Sequence, residues 1–175
     1  MSKRNSTFAR HSRDFYKTPE QAVRPLLPHL PKGTRYIEPC AGDGALVDIL
    51  GAAGHTCVHA SDIEPQSDTI AEADALDAPF LPYADFIITN PPWSRHLLHP
   101  MIEAFRVVLP TWLLFDADWA HTKQSAPHMR YCSMIVSVGR VTWIAGTKNT
   151  GLDNAAWYLF TKDPALTAFV GRAAS

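Results

Sequence analysis

The segment 86–89 is an apolar run with the composition of a buried strand, and it ends in Asn90-Pro91-Pro92-Trp93. Two consecutive prolines fix φ and remove two backbone donors, so the chain cannot continue in an ordinary sheet ladder. The strand must therefore stop in a rigid turn that presents an amide side chain, bare carbonyl oxygens and a flat aromatic ring. This set suits a planar amino group on a heterocycle, although a proline-rich turn that only ends a buried strand has the same sequence.

Acidic residues also mark the ends of three other predicted strands. The first strand covers 35–38, ends at Glu38 and leads into the small-residue turn 39–44. The second covers 57–61 and precedes Asp62, and a weak third strand ends near Ala73, before Asp74. Ligands of parallel α/β sheets bind at the carboxyl ends of the strands. We therefore expect these three acids and Asn90 to lie at one edge of a sheet.

Strands and helices alternate along the rest of the chain. Helices are predicted at 20–30, interrupted by Pro25, at 45–50, and after Pro100 up to Pro110. Further strands are predicted at 84–89 and 112–115, with two late ones at 134–143 and 155–160. The late pair is joined by loop 146–154, where Lys148 and Asn149 either touch nucleic acid or form a plain hairpin. This order predicts a single-domain α/β fold with a doubly wound, mostly parallel sheet and an antiparallel late strand.

Composition and charge limit the class of protein. Of 175 residues, 46% are hydrophobic and 19% charged, as in ordinary globular domains. No apolar run reaches the ~20 residues that span a bilayer, and three cysteines without metal-ligand spacing suit the reducing cytoplasm. Residues 1–35 hold eight Lys/Arg against two acids, and 1–13 are interpreted as a flexible basic arm. Such an arm suits phosphate contacts, although a solvated tail is an equal alternative.

The glycines after the first strand indicate a ligand without an essential phosphate. Gly42 and Gly44 allow a tight turn that brings backbone amides against a ligand. Position 47 is valine, so the phosphate-binding spacing Gly-x-Gly-x-x-Gly is absent. Asp62 can accept hydrogen bonds from both hydroxyls of a ribose, although a turn or helix-capping aspartate is the alternative. These features favour S-adenosylmethionine over a nicotinamide cofactor.

Taken in order, these motifs resemble the class I S-adenosylmethionine-dependent methyltransferases, specifically the N6-adenine DNA methyltransferases of the Asn-Pro-Pro-Trp type. The resemblance covers about residues 14 to 160, so a methyltransferase domain is predicted at 14–175, and its compact size is similar to phage methyltransferases. It implies a cofactor site in which Asp74 meets the adenine of the cofactor, with Asp77 as a rival. The cofactor residues that it implies are Tyr16, Thr18, Pro19, Glu38, Pro39, Cys40, Ala41, Gly42, Gly44, Asp62, Ile63, Asp74, Ala75 and Asn90.

The resemblance also implies the catalytic residues Asn90, Pro91, Pro92 and Trp93. The Asn90 oxygen and the Pro91 carbonyl would accept hydrogen bonds from the two N–H groups of the target amine, while Trp93 would stack on the base. Trp119, Trp143 and Trp157 are candidates for the second face of the base. Cys40 is interpreted as a packing residue rather than a nucleophile. The pairs His96/His99 and His121/His128 lack further ligands, so no metal site is predicted.

The sequence departs from the family where the target is recognised. About fifteen residues follow position 160, too few for an appended recognition domain. Recognition would then be short and relaxed, or made by loops such as 95–100 and 118–130, or supplied by a dimer or a partner subunit. DNA is the favoured substrate. The alternatives are adenine N6 in RNA, a protein glutamine amide, and a non-catalytic subunit that only binds the cofactor.

Overall fold

The computed structural model describes residues 17–77, 83–143 and 153–172. The basic arm, Tyr16, Lys148 and Asn149 lie outside these residues. The described strands are β1 Arg35–Glu38, β2 Thr56–Asp62, β3 Ala71–Glu72, β4 Phe86–Thr89, β5 Thr111–Asp116, β6 Cys132–Arg140, β7 Asn154–Phe160 and β8 Ala168–Val170. The described α-helices are α1 Glu20–Val23, α2 Ala45–Ala52, α3 Arg95–Arg106 and α4 Ala126–Met129, and 3₁₀ turns cover Leu27–His29, Ala75–Asp77, Ala117–His121 and Lys123–Ser125.

The described strands form one sheet in the order β3-β2-β1-β4-β5-β7-β6-β8. Strands β1 to β5 are mutually parallel, whereas β7 runs antiparallel to both β5 and β6. The predicted doubly wound fold with an antiparallel late strand is thus confirmed. Strand β8, parallel to β6 at the sheet edge, was not predicted. No helix in the described part of the chain is long and apolar enough to cross a membrane.

Two apolar layers cover the two faces of the sheet, because side chains alternate along each strand. In β5, Trp112 and Leu114 pack with α1 and α2 on one face. Leu113 and Phe115 pack with α3 on the other. A strand that is buried on both sides reads as a continuous apolar run, which is how β4 and β5 appear in the sequence.

Helix α3 begins six residues earlier than predicted, at Arg95 rather than after Pro100. Proline in a helix removes one backbone hydrogen bond and clashes with the preceding turn, so the sequence predicts a helix boundary at Pro100. Here the buried face of α3 offsets that cost, with Leu98, Met101 and Ile102 in the core. The segment 95–100 is therefore the first half of a helix, and 118–130 is a series of short helical turns. Neither is the loop that the sequence suggested.

Candidate functional site

The site begins with the turn that follows β1, residues 39–44, which we call the glycine turn. Gly42 and Gly44 have φ of 55° and 83°, a left-handed conformation that suits glycine. The end of β2 holds this turn in place, because the Ala41 N–H donates to the Ser61 carbonyl over 2.9 Å. The adjacent segment adds a second tie, with the Gln66 N–H donating to the Gly42 carbonyl over 2.9 Å. Hydrogen bonds within the protein therefore hold the turn in this conformation.

Asp62, the last residue of β2, joins the glycine turn to the next loop. Its Oδ2 accepts from the Gly42 N–H over 2.8 Å, and its Oδ1 accepts from the Glu64 N–H over 2.9 Å. Each oxygen of a carboxylate has a second lone pair, so both can still accept a hydroxyl. Asp62 lines the cleft described below, in the place that the sequence predicted.

Glu38, the last residue of β1, is buried with 1% of its surface exposed. Its Oε2 has no hydrogen-bond partner among the described residues. Burial, followed by the nearby Asp62 and Asp43 carboxylates, raises the pKa of the Glu38 carboxyl well above its usual range. An unpartnered buried oxygen of this kind favours a cationic or hydrogen-bond-donating ligand group beside it.

The Asn-Pro-Pro-Trp turn, residues 90–93, follows β4 at the same edge of the sheet. The Asn90 side chain is held at both ends. Its Nδ2 donates to Thr18 Oγ1 over 3.1 Å, and its Oδ1 accepts from the Trp93 indole N–H over 3.3 Å. Pro91 is buried and Pro92 is half-buried. The amide thus occupies a defined position next to the carbonyls of two prolines.

A cleft of about 870 Å³ connects the glycine turn to the Asn-Pro-Pro-Trp turn. Most of the predicted site residues line it, namely Thr18, Pro39, Cys40, Ala41, Gly42, Asp62, Ile63, Asp74, Ala75, Asn90 and Pro92. Pro19, Glu38, Gly44, Pro91 and Trp93 are not on its wall. Asp74 lines the cleft and Asp77 does not, which favours Asp74 as the candidate that meets the adenine of the cofactor.

The sequence did not predict several of the residues that line the cleft. Lys17 forms an ion pair with Asp43, with 3.0 Å between Nζ and Oδ2, and both residues line the cleft. Leu97, Pro100 and Met101 also line it, on one side of α3. Their spacing of three and four residues is the signal that could have found them, had the helix been started after Ser94, a residue type common at helix N-termini. Other residues missed on the cleft wall are Ala45, Leu46, Glu64, Gln66, Leu76, Ser94 and His96.

Two of the three tryptophans proposed to close over the base are wrong for that role. Trp119 and Trp157 are 2% and 0% exposed. Their indole N–H groups donate to His99 Nε2 over 3.0 Å and to the Ala22 carbonyl over 2.8 Å. Buried indoles with satisfied donors are structural. Trp143 is half-buried and meets Trp93 edge to face, with 5.5 Å between ring centroids.

Cys40 lines the cleft, but its environment does not favour thiolate chemistry. Burial, together with the Asp62 carboxylate, raises the pKa of the Cys40 thiol well above its usual range. The side chain packs against the core on the α3 face of the sheet. Within the described ranges, no group of three or more His, Cys, Asp or Glu side chains is placed to hold a metal ion.

No protein-family model matches the sequence, and no curated protein matches it. Solved structures do match. A candidate RNA methyltransferase from Pyrococcus horikoshii has a TM-score of 0.61 at 15% identity, covering 86% of this chain and 88% of that chain. The 23S rRNA methyltransferase ErmE has a TM-score of 0.60 at 14% identity, covering 88% and 72%. The M protein of the type I restriction enzyme EcoKI has a TM-score of 0.53 at 14% identity, covering 86% and 46%.

Similarity at such low identity concerns the fold. In this chain that fold has the strand order and the antiparallel β7 described above, with the cleft at the carboxyl ends of β1, β2 and β4. The chain therefore has the Rossmann-like fold of the class I S-adenosylmethionine-dependent methyltransferases.

Proposed function

We propose that this protein is an S-adenosylmethionine-dependent methyltransferase that acts on an exocyclic amino group, with adenine N6 in DNA as the substrate. One observation carries the proposal. A single cleft joins the glycine turn, Asp62 and Asp74 to Asn90 and Pro92, so a cofactor and a target amine have room to meet. The partner is accordingly a nucleic acid.

The residues at the cofactor end match the polar groups of S-adenosylmethionine. Glu38, with its unpartnered buried oxygen, would hold the methionine ammonium directly or orient the glycine turn beneath it. Asp62 would accept the ribose hydroxyls, and Asp74 the adenine amino group. Ile63 is exposed and lies on the cleft wall, where it would pack on the adenine ring. When bound, the cofactor supplies an electrophilic methyl group on a positively charged sulfonium.

The residues at the other end would hold the nucleophile. An amino group on adenine is a weak nucleophile because its lone pair is delocalised into the ring. Asn90 Oδ1 and the Pro91 carbonyl would accept hydrogen bonds from the two N–H groups of this amine. These bonds would direct the nitrogen lone pair towards the methyl group. Two prolines make this turn rigid, so little reorganisation is needed during transfer. No covalent intermediate on the protein is required, consistent with the raised pKa of the Cys40 thiol.

Two kinds of nucleic acid are candidates for the substrate. DNA is favoured by the resemblance of the motifs, and the EcoKI M protein belongs to a restriction enzyme. Adenine in RNA is the second candidate, because ErmE is an rRNA methyltransferase of similar fold. A second copy or a partner subunit would supply sequence recognition.

The test uses methyl-labelled S-adenosylmethionine with double-stranded DNA, single-stranded DNA, RNA and a protein extract, followed by digestion and mass analysis. We expect N6-methyladenine in DNA. Label in RNA alone would move the substrate to the second candidate. Label in protein glutamine would overturn the nucleic-acid part of the proposal. The absence of label everywhere, with measurable cofactor binding, would overturn catalysis by this chain alone.

A further inference from the structure

The two hydrogen bonds of the Asn90 amide decide which way the amide faces. Thr18 Oγ1 lies 3.1 Å from Nδ2, and Trp93 Nε1 lies 3.3 Å from Oδ1. An indole N–H is only a donor, so the amide atom opposite it must be the oxygen. The identity of residue 93 as tryptophan, rather than an aromatic without a ring donor, therefore fixes the orientation at one end. At the other end the Thr18 hydroxyl, which can donate or accept, accepts from Nδ2 and holds the amide in the orientation that Trp93 sets.

Thr18 is itself held by rigid structure. It is 7% exposed and lies two residues before α1, whose Ala22 and Val23 are fully buried. The Trp157 indole N–H of β7 donates to the Ala22 carbonyl over 2.8 Å, which ties α1 to the sheet. The Thr18 hydroxyl is thus presented to Asn90 from an anchored element.

The neighbouring Lys17 contributes less to this arrangement. It bonds to Asp43 in the glycine turn, but 64% of its side chain is exposed. Exposed ion pairs contribute little because solvent screens them. Between the two adjacent side chains, the buried hydroxyl of Thr18 is the one that can hold the amide of Asn90 against rotation.

We propose that Thr18 is a positioning residue for methyl transfer, acting through the Asn90 amide together with the Trp93 indole N–H. The proposal rests on the function proposed above. The Trp93 donor uses one lone pair of Asn90 Oδ1, which leaves the other for an N–H bond of the target amine. Without the Thr18 hydroxyl, only the longer contact to the Trp93 indole, at 3.3 Å, restrains the amide, so rotation about its Cβ–Cγ bond becomes easier and can present its own N–H groups. A target amine that also donates would then find no acceptor.

The test compares Thr18→Val, which is nearly the same size but lacks the hydroxyl, with Thr18→Ser, which keeps it. We expect Thr18→Val to lower kcat about tenfold or more, since small misplacements of a reacting group have effects of this size. The loss of kcat should persist at saturating cofactor, so that a change in cofactor Kd does not account for it, and Thr18→Ser should restore most of kcat. Thr56→Val is the matched control, because Thr56 is exposed at the start of β2, at the opposite end of the strand from Asp62.

A second measurement separates this proposal from the proposed function. The side-chain amide resonance of Asn90, assigned by its loss in Asn90→Asp, should shift in Thr18→Val and not in Thr56→Val. An unmoved resonance, a wild-type kcat in Thr18→Val, or a loss explained entirely by cofactor Kd would overturn the role of Thr18. If the wild-type protein methylates no amine, the proposed function fails and so does catalytic positioning, while the resonance still shows whether Thr18 holds the amide.

Discussion

The two halves of the sheet differ in whether their buried polar atoms have hydrogen-bond partners. In the half formed by β3, β2, β1 and β4, Glu38 Oε2, Ser61 Oγ and Thr89 Oγ1 are buried without a partner among the described residues. All three lie at the carboxyl ends of their strands. In the half formed by β5, β7, β6 and β8, the Trp157 indole and the Tyr158 hydroxyl are buried and hydrogen-bonded.

This difference separates a binding half from a structural half. Unpartnered buried polar atoms cost stability, and they persist where a ligand supplies the missing partner. Buried aromatic residues whose polar groups are hydrogen-bonded instead stabilise the fold. Three atoms depart from the pattern: the Trp112 indole N–H of β5, the Tyr36 hydroxyl of β1 and His59 Nε2 of β2. None has a partner in the described part of the chain, none lies at the carboxyl end of its strand, and nothing in the structure explains them.

The largest effect is expected at the boundary between the halves. Asn90→Ala removes the acceptor for the target amine and should lower kcat about 10³-fold, an effect typical of losing one preorganised hydrogen-bonding group. Cofactor Kd, measured by calorimetry, should change little. Near-normal turnover in this variant would break the assignment of the Asn-Pro-Pro-Trp turn to catalysis.

In the structural half, Phe115→Ala should lower stability without altering cofactor binding. Phe115 stacks on Tyr158 with 4.2 Å between centroids and meets the edge of Trp119 at 5.0 Å. Removing it should cost about 4 kcal/mol and lower Tm by roughly 10 °C. Phe169→Ala on the exposed β8 is the matched control, and equal Tm changes in both variants would contradict the comparison.

In the binding half, Glu38→Gln should stabilise the free protein and weaken cofactor binding. The folded-state pKa of Glu38 is raised, so its ionisation opposes folding above its ordinary pKa of about 4.3. The variant should gain about 1 kcal/mol at neutral pH, and the gain should vanish in acid. Thermal melts with and without cofactor measure both effects.

The same residue predicts a pH dependence of binding. A cofactor ammonium beside Glu38 favours the carboxylate, so wild-type Kd should tighten as pH rises, by at most about tenfold per pH unit. Titrations from pH 5 to 7 should show this slope in the wild type and lose it in Glu38→Gln. An unchanged slope in the variant would place the titrating group elsewhere.

The smallest effect is expected for Tyr158→Phe. The Tyr158 hydroxyl lies 3.1 Å from both the Asp116 and the Ala117 carbonyl oxygens. Its loss should cost about 1 kcal/mol and lower Tm by about 3 °C, with Kd unchanged. Tyr83→Phe, at an exposed ring, controls for the substitution itself and should leave Tm unaltered.

The sequence predicted best what depends on neighbouring residues. The bounds of β1 match, and the acids at strand ends and the glycine turn lie where local pattern placed them. It failed where distant packing decides. The apolar face of α3 overrides Pro100, and Trp119 is covered by the aromatic core around Phe115. The bond between Thr18 and Asn90 joins residues 72 apart, and no local pattern indicates it.

The hydrogen bond from Trp157 to the Ala22 carbonyl has a consequence for how the chain acquires its structure. It joins residues 135 positions apart, an early helix and a late strand. Contacts of such high sequence separation form late, because a long loop must close first. During synthesis, this hydrogen bond cannot form until β7 has left the ribosome, so α1 and the segment carrying Thr18 lack this tie until then. We expect the recovery of methyl transfer during refolding to lag behind the formation of the parallel sheet.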